Sequence, residues 1–107
     1  MIARLWHGRT TAKKADAYLA FLRQRAVPDY SGIDGCLGVY ILNRIDGDVA
    51  HFNTLTFWKD EEVVRAFAGD DVLRAKYYPE DDDFLLEKEP QVRHFDTLEG
   101  VPLGGLP

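Results

Sequence analysis

Cysteine is almost missing from this chain. Cys36 is the single one in 107 residues, so no internal disulfide can form, and a reducing, cytoplasmic setting is expected. Basic residues are in deficit: 13 Lys and Arg against 18 Asp and Glu leave a formal charge of −5 with histidine neutral. Without a cationic surplus to neutralise phosphates, nucleic acid is not an expected partner. Long hydrophobic runs are lacking too. Val39-Tyr40-Ile41-Leu42 falls far short of the roughly 20 residues a membrane span needs, so no membrane association is expected. Arg4 and His7 break up the only apolar opening stretch, which is therefore not read as a secretory leader. Repeats and low-complexity tracts are absent, and only Gly100–Pro107 has the composition of a linker. The expectation is one domain over residues 1–98 and a flexible tail over 99–107.

Signature motifs are also few. His7, His51 and His94 fall on different predicted strands, with no HxH, HxxxH or CxxC pair, so no metal site is expected. Glycine-rich phosphate loops, G-x-S-x-G elbows and dinucleotide fingerprints do not occur, and no bound cofactor is expected. Cys36 has no adjacent cation and reads as a core thiol, and Glu80–Asp83 reads as a solvated acidic loop.

What remains is 46% hydrophobic and 29% charged, the balance of a folded domain. Ile2–Gly8 predicts a first strand. Ala15, Tyr18, Leu19, Leu22 and Ala26 recur with helical spacing, predicting a helix over 12–26 that Thr10 or Thr11 caps and Pro28 stops. Two extended segments, Cys36–Ile45 and Asp48–Trp58, flank Asp46-Gly47, a pair suited to a type I′ turn. That loop would set Ile45 opposite Asp48, Leu42 opposite His51, Tyr40 opposite Asn53 and Val39 opposite Thr54. One face of the hairpin would carry Tyr40, Leu42, His51, Asn53 and Leu55, and the other Leu37, Val39, Ile41, Phe52, Thr54, Thr56 and Trp58. Asp60 is a good cap for a second helix with Val63, Val64, Phe67 and Ala68 inward. Gly69-Asp70 kinks or breaks it before a continuation over Asp71–Tyr77, and Pro79 ends the element with Tyr78 extended. Phe84-Leu85-Leu86 is expected to pack back, and Gln91–Leu98 to form a last strand.

This βαββαβ order predicts a ferredoxin-like α+β fold, a four-stranded antiparallel sheet with two helices on one face. Both hairpin faces carry large apolar residues, and this chain has no spare element to cover the second one. A homodimer packed sheet to sheet is therefore expected.

Over about residues 1–98 the chain resembles the antibiotic biosynthesis monooxygenase family, of the dimeric α+β barrel superfamily. The resemblance rests on the element order, the Asp46-Gly47 hairpin, the segment Leu55-Thr56-Phe57-Trp58-Lys59-Asp60-Glu61-Glu62, and the strand Val92-Arg93-His94-Phe95. Ala75-Lys76-Tyr77-Tyr78-Pro79-Glu80-Asp81 resembles a feature of one bacterial subgroup. The family includes cofactor-independent oxygenases of polyketide anthrones and haem-degrading enzymes, so the resemblance implies a pocket between the sheet and its own helices. The haem-degrading branch uses an Asn, a Trp and a His at places that here hold His7, Phe67 and Tyr77, which disfavours haem degradation.

The implied activity is a cofactor-independent monooxygenation of a small aromatic or polyketide-like substrate, whose deprotonated phenol or enol reacts with oxygen directly. Such a site needs a base, donors for the oxyanion and a dry cavity. The candidate base is His7, with Tyr77 and His94 as further catalytic candidates; Phe67, Tyr78 and Thr54 are the candidate substrate contacts. Two alternatives stand beside it: a non-oxidative isomerase or cyclase on the same scaffold, and a non-catalytic dimeric protein that binds a small hydrophobic molecule.

Overall fold

The protein is described here through a computed structural model covering residues 1–101. Strands β1 (Ile2–Thr11), β2 (Cys36–Asp46), β3 (Val49–Trp58) and β4 (Arg93–Asp96) form one antiparallel sheet in the order β2-β3-β1-β4. The first strand thus lies between the third and the fourth, as the ferredoxin-like order requires. Helices α1 (Ala15–Phe21), α2 (Val27–Ser31) and α3 (Glu61–Ala68) supply the aromatic residues that pack on the same sheet face. Of the expected tail, residues 99–101 carry no regular structure, and 102–107 lie outside the described residues.

The helical stripe is where its spacing predicts, with Tyr18, Leu22 and Ala26 buried. Its end is not. Leu22–Ala26 forms a π-helical turn in which the Val27 N–H reaches the Leu22 carbonyl, and the helix then continues to Ser31. Pro28 therefore sits in the first turn of α2, where its missing N–H costs nothing, instead of stopping the helix. No threonine side chain caps the start; a 3₁₀ turn, Ala12–Lys14, leads in from Thr11.

The hairpin pairs Asp46 with Val49, Ile41 with Thr54 and Tyr40 with Leu55. The loop is Gly47-Asp48, not Asp46-Gly47, and only Gly47 has positive φ, at 59°. A type I′ turn needs two such residues, whereas a Gly-X loop of type II′ needs one. The pairing is displaced by two residues from the expected one, and an even displacement leaves each side chain on its face. The exception is Leu37: a bulge between Cys36 and Gly38 turns it out, 59% exposed.

Asp60 caps α3 as expected, its carboxylate accepting from the Val63 N–H at 3.0 Å. Gly69 ends the helix, and residues 71–77 are not its continuation. They pass through a turn, and Arg74 pairs with Gln91 in an isolated bridge. From Pro79–Asp83, a short 3₁₀ segment, the chain returns along the free half of β1, where the Leu86 N–H donates to the Arg9 carbonyl at 2.9 Å. Phe84 joins Tyr18 and Phe21 in an aromatic cluster, while Leu86 stays 49% exposed. The last strand is shorter than expected, four residues.

Candidate functional site

On the helix-facing side, β1 directs Arg4, Trp6, Gly8 and Thr10 inward. Gly8 permits the indole of Trp6 to lie over the strand, because a Cβ there would stand 2.4 Å from the ring. The indole helps wall a cavity of about 20 Å³ between sheet and helices, lined also by Tyr18, Tyr30, Thr54, Lys76, Tyr78 and Asp81. This is room for about one water. Trp6 is only 7% exposed, yet its Nε1–H has no hydrogen-bond partner. The polar group nearest that N–H is the Tyr77 hydroxyl, and a buried donor without a well-formed acceptor costs about 1–3 kcal/mol.

Asp81 is the anion of this cavity. Far from lying in a solvated loop, it is 2% exposed. One carboxylate oxygen accepts from the Tyr18 hydroxyl at 2.9 Å and the other from the Tyr78 N–H at 2.7 Å, closing the 3₁₀ turn that Pro79 opens. Burial pushes its pKa up, against the two hydrogen bonds. Burial, then the charge of Asp81, pushes the Tyr18 phenol far above its ordinary value. Lys76 places its ammonium 4.4 Å from the centre of the Phe67 ring and 5.9 Å from that of Tyr78.

The residues singled out from the sequence scatter across the molecule. Thr54 and Tyr78 line the cavity. The Tyr78 hydroxyl donates to Asp29 at 2.5 Å; its pKa is raised by burial first and by that carboxylate second. Tyr77 meets Trp6 edge-on at 6.2 Å, and its hydroxyl donates to the Glu89 carbonyl at 2.5 Å. Phe67 packs between Tyr30 and Trp58 as core. His94 accepts at Nε2 from buried Arg4, 3.0 Å away; burial, then the Arg4 charge, depresses its pKa. Arg4 also donates to the Val72 carbonyl and, at 2.9 Å, to that of Arg74, so its contacts include no carboxylate. It clasps the segment after α3 onto the sheet, and His94 is engaged there.

His7 cannot act in the helix-side cavity. Strand alternation gives the inner face to Trp6 and Gly8, so His7 points out of the opposite face. There its Nδ1 lies 2.5 Å from Glu89 Oε2 and its Nε2 lies 3.0 Å from His51 Nδ1. A cleft of about 260 Å³ beside them is lined by Leu5, His7, Asn53, Glu89, Gln91, Val92 and Arg93. This outer face is graded. Arg44, His51 and Arg9 stand in one rung across β2, β3 and β1, and Leu42, Asn53 and His7 in the next. Tyr40, Leu55 and Leu5 follow, then Phe57, Ala3 and Phe95. One half is charged, and the other is apolar apart from Arg93, which pairs with Leu5.

A third concavity, a groove of about 320 Å³, runs between α1 and the helix-facing side of β2, floored by Val39, Ile41 and Phe52 and rimmed by Asp16, Arg23 and Asn43. None of the residues singled out from the sequence lines it. Among the described residues no group of three His, Cys, Asp or Glu converges as a metal site, and no helix is long and apolar enough to cross a membrane. Cys36 is half-buried, and burial raises its thiol pKa.

No family model matches the sequence, and no curated protein does. Solved structures do. One is a point variant of MhuD with two manganese protoporphyrin IX molecules bound per active site: TM-score 0.61, 16% identity, 95% of this chain and 99% of that one covered. Another is a Bacillus cereus protein provisionally named an antibiotic biosynthesis monooxygenase: TM-score 0.59, 10% identity, 96% and 98% covered. The chain has the fold of both. The likeness to the antibiotic biosynthesis monooxygenases read from the sequence therefore holds for the architecture, end to end.

Sequence reasoning missed Trp6, Tyr18 and Asp81. Tyr18 and Trp6 read as ordinary stripe and strand residues. The signal for Asp81 was present: an acid two residues after a proline can fold back on the N–H groups of its own turn.

Proposed function

We propose that this protein is a cofactor-independent monooxygenase that binds a small aromatic or polyketide-like molecule in the cavity between sheet and helices. The observation that carries the reading is the cavity itself, walled between sheet and helices by Trp6, Tyr18, Thr54, Tyr78 and buried Asp81, with a Trp6 Nε1–H that lacks a hydrogen bond of normal geometry. A phenol or enol oxygen is the acceptor it lacks, and stabilising that oxygen as charge develops is what a direct reaction with oxygen requires. Thr54 and Tyr78 contact the ring, and Asp81, held through Tyr18, takes the base role first given to His7. Binding requires the Tyr78 segment to move, since the cavity as it stands holds no more than a water.

Haem is not the ligand proposed. None of the three histidines lines the cavity, and the hydroxyl of Tyr77, which stands where the resemblance places the haem-binding His, is tied to the Glu89 carbonyl. The working form proposed is a homodimer, whose second copy covers Leu5, Tyr40, Leu55, Phe57 and Phe95. This apolar half of the outer face includes Phe95 at 51% exposure.

The test is a thermal-shift screen of hydroxylated polycyclic aromatics, followed by oxygen uptake with any binder. Binding should weaken about tenfold in Trp6→Phe, which keeps the ring and removes the donor. Full affinity in that variant would take away the supporting observation. Turnover without oxygen would favour the isomerase or cyclase alternative, and binding without turnover the non-catalytic one.

A further inference from the structure

The groove beside the first helix takes no part in the proposed oxygenation. Its floor is Val39 and Ile41 of β2 with Phe52 of β3, and its wall is Leu19, Arg23 and Val27. These wall residues are spaced four apart, about one turn each, so they share one side of the helix. Leu22 and Ala26, the two ends of the π turn, line the small cavity instead. One helix therefore divides two concavities. At about 320 Å³ the groove already has the size of a ligand pocket, for which roughly 300 Å³ is the lower end. It opens on the helix-facing side of the sheet, so a dimer packed sheet to sheet leaves it uncovered. Leu19, Val27, Val39 and Ile41 all stay half-buried there, apolar surface that a bound chain would take out of water.

The rim decides what can lie in it. Asp16, Arg23 and Asn43 are its polar residues. Asn43 is neutral and gives its amide to the His51 carbonyl at 3.1 Å. Among the described residues, neither Asp16 nor Arg23 has a side-chain hydrogen bond or an ion-pair partner. Asp16 stands in the first turn of α1, where the positive end of the helix dipole meets its charge. Arg23 lies within the π turn and has no such offset. Its planar fork is open for two parallel hydrogen bonds to a carboxylate. The lining beneath it is aliphatic apart from Phe52.

From this arrangement we infer that the groove is a second ligand site, one for a free aliphatic carboxylate. The chain lies on Val39, Ile41 and Phe52 against Leu19 and Val27, and the carboxylate meets Arg23. Two effects divide the work. Burial of apolar surface holds the chain whatever its head group, and Arg23 selects the acid over an alcohol of equal length.

The probe is octanoate, titrated into isotope-labelled protein below its micelle concentration and followed by two-dimensional NMR. Octanol and octyltrimethylammonium are the comparisons. Backbone signals of Leu19, Arg23, Val39 and Ile41 should shift in a saturable way, and octanoate should bind at least about tenfold more tightly than octanol. Arg23→Gln, a change at an exposed side chain, should remove that preference and leave octanol binding as it was. Ile41→Trp, which fills the floor, should abolish binding of both. Equal affinity for octanol and octanoate in the wild type overturns the inference, and that comparison stands even if Ile41→Trp fails to fold. Tighter binding of the ammonium also overturns it, as do shifts gathered around Trp6 and Tyr78, or no saturable binding of octanoate. Octanoate affinity should be unchanged in Trp6→Phe, so the groove and the oxygenase reading stand or fall separately.

Discussion

At the scale of single residues, the molecule keeps two charged groups inside by different means. Arg4 is satisfied by carbonyl oxygens and an imidazole nitrogen, and Asp81 by a phenol and a backbone N–H. The titration of Asp81 has a definite sign. Its folded-state pKa is raised by burial, so the native state holds its proton more tightly than the unfolded chain. The native state then binds more protons in the window above the ordinary aspartate value of about 3.9, and stability contributed by this group falls as pH rises through that window. Asp81→Asn removes the titration. Urea unfolding at a series of mildly acidic pH values should show wild type gaining on the variant as pH falls, and a constant gap would contradict the assigned burial effect.

At the scale of elements, the turns and helix ends show how local chemistry and tertiary pairing divide the work. The hairpin was legible because Gly47 stands between two alternating segments, but its loop slid by one residue. Nothing local distinguishes Asp46-Gly47 from Gly47-Asp48; the Ala12 N–H, which donates to the Asp48 carbonyl at 2.7 Å, is a long-range partner. Gly47 has open space around its missing Cβ, so substitution there meets no atom and strains only the backbone at φ 59°. Gly47→Ala should therefore destabilise the domain by about 1 kcal/mol with an unchanged denaturant slope, as measured by chemical unfolding. The helix boundary at Pro28 was misread for a related reason. A proline forbids one hydrogen bond, and the π turn before it had already arranged for that bond not to be needed.

At the scale of the whole molecule, the sheet order was legible from the βαββαβ succession of elements, but the helix side was not: both hairpin faces carry large apolar residues, and only the folded chain shows Phe52 and Trp58 buried beneath the helices. Nor was the site. His7, Tyr77 and His94 are individually sensible candidates, but a strand's period of two sends His7 outward. His94 is claimed by Arg4, its partner on β1, and Tyr77 by the Glu89 carbonyl. The claims on His94 and His7 span 90 and 82 positions, beyond any sequence window, and that on Tyr77 spans 12. The graded outer face makes the quaternary prediction specific. Sedimentation at micromolar concentration should give twice the chain mass of 12.2 kDa, and Leu55→Lys, in the apolar half, should return the protein to monomer. A wild-type mass of one chain would remove the dimer from the proposal.

The strap of residues 86–90 has one more consequence. By bonding to Arg9 and reaching His7 it closes the margin of the sheet that β4 leaves bare, while the opposite margin, along β2, is blunted by a bulge at one end and by Arg44 and Asp46 at the other. Neither side offers a foreign strand a long, flat place to zip on. A chain so guarded at its rims can meet its own kind only face to face.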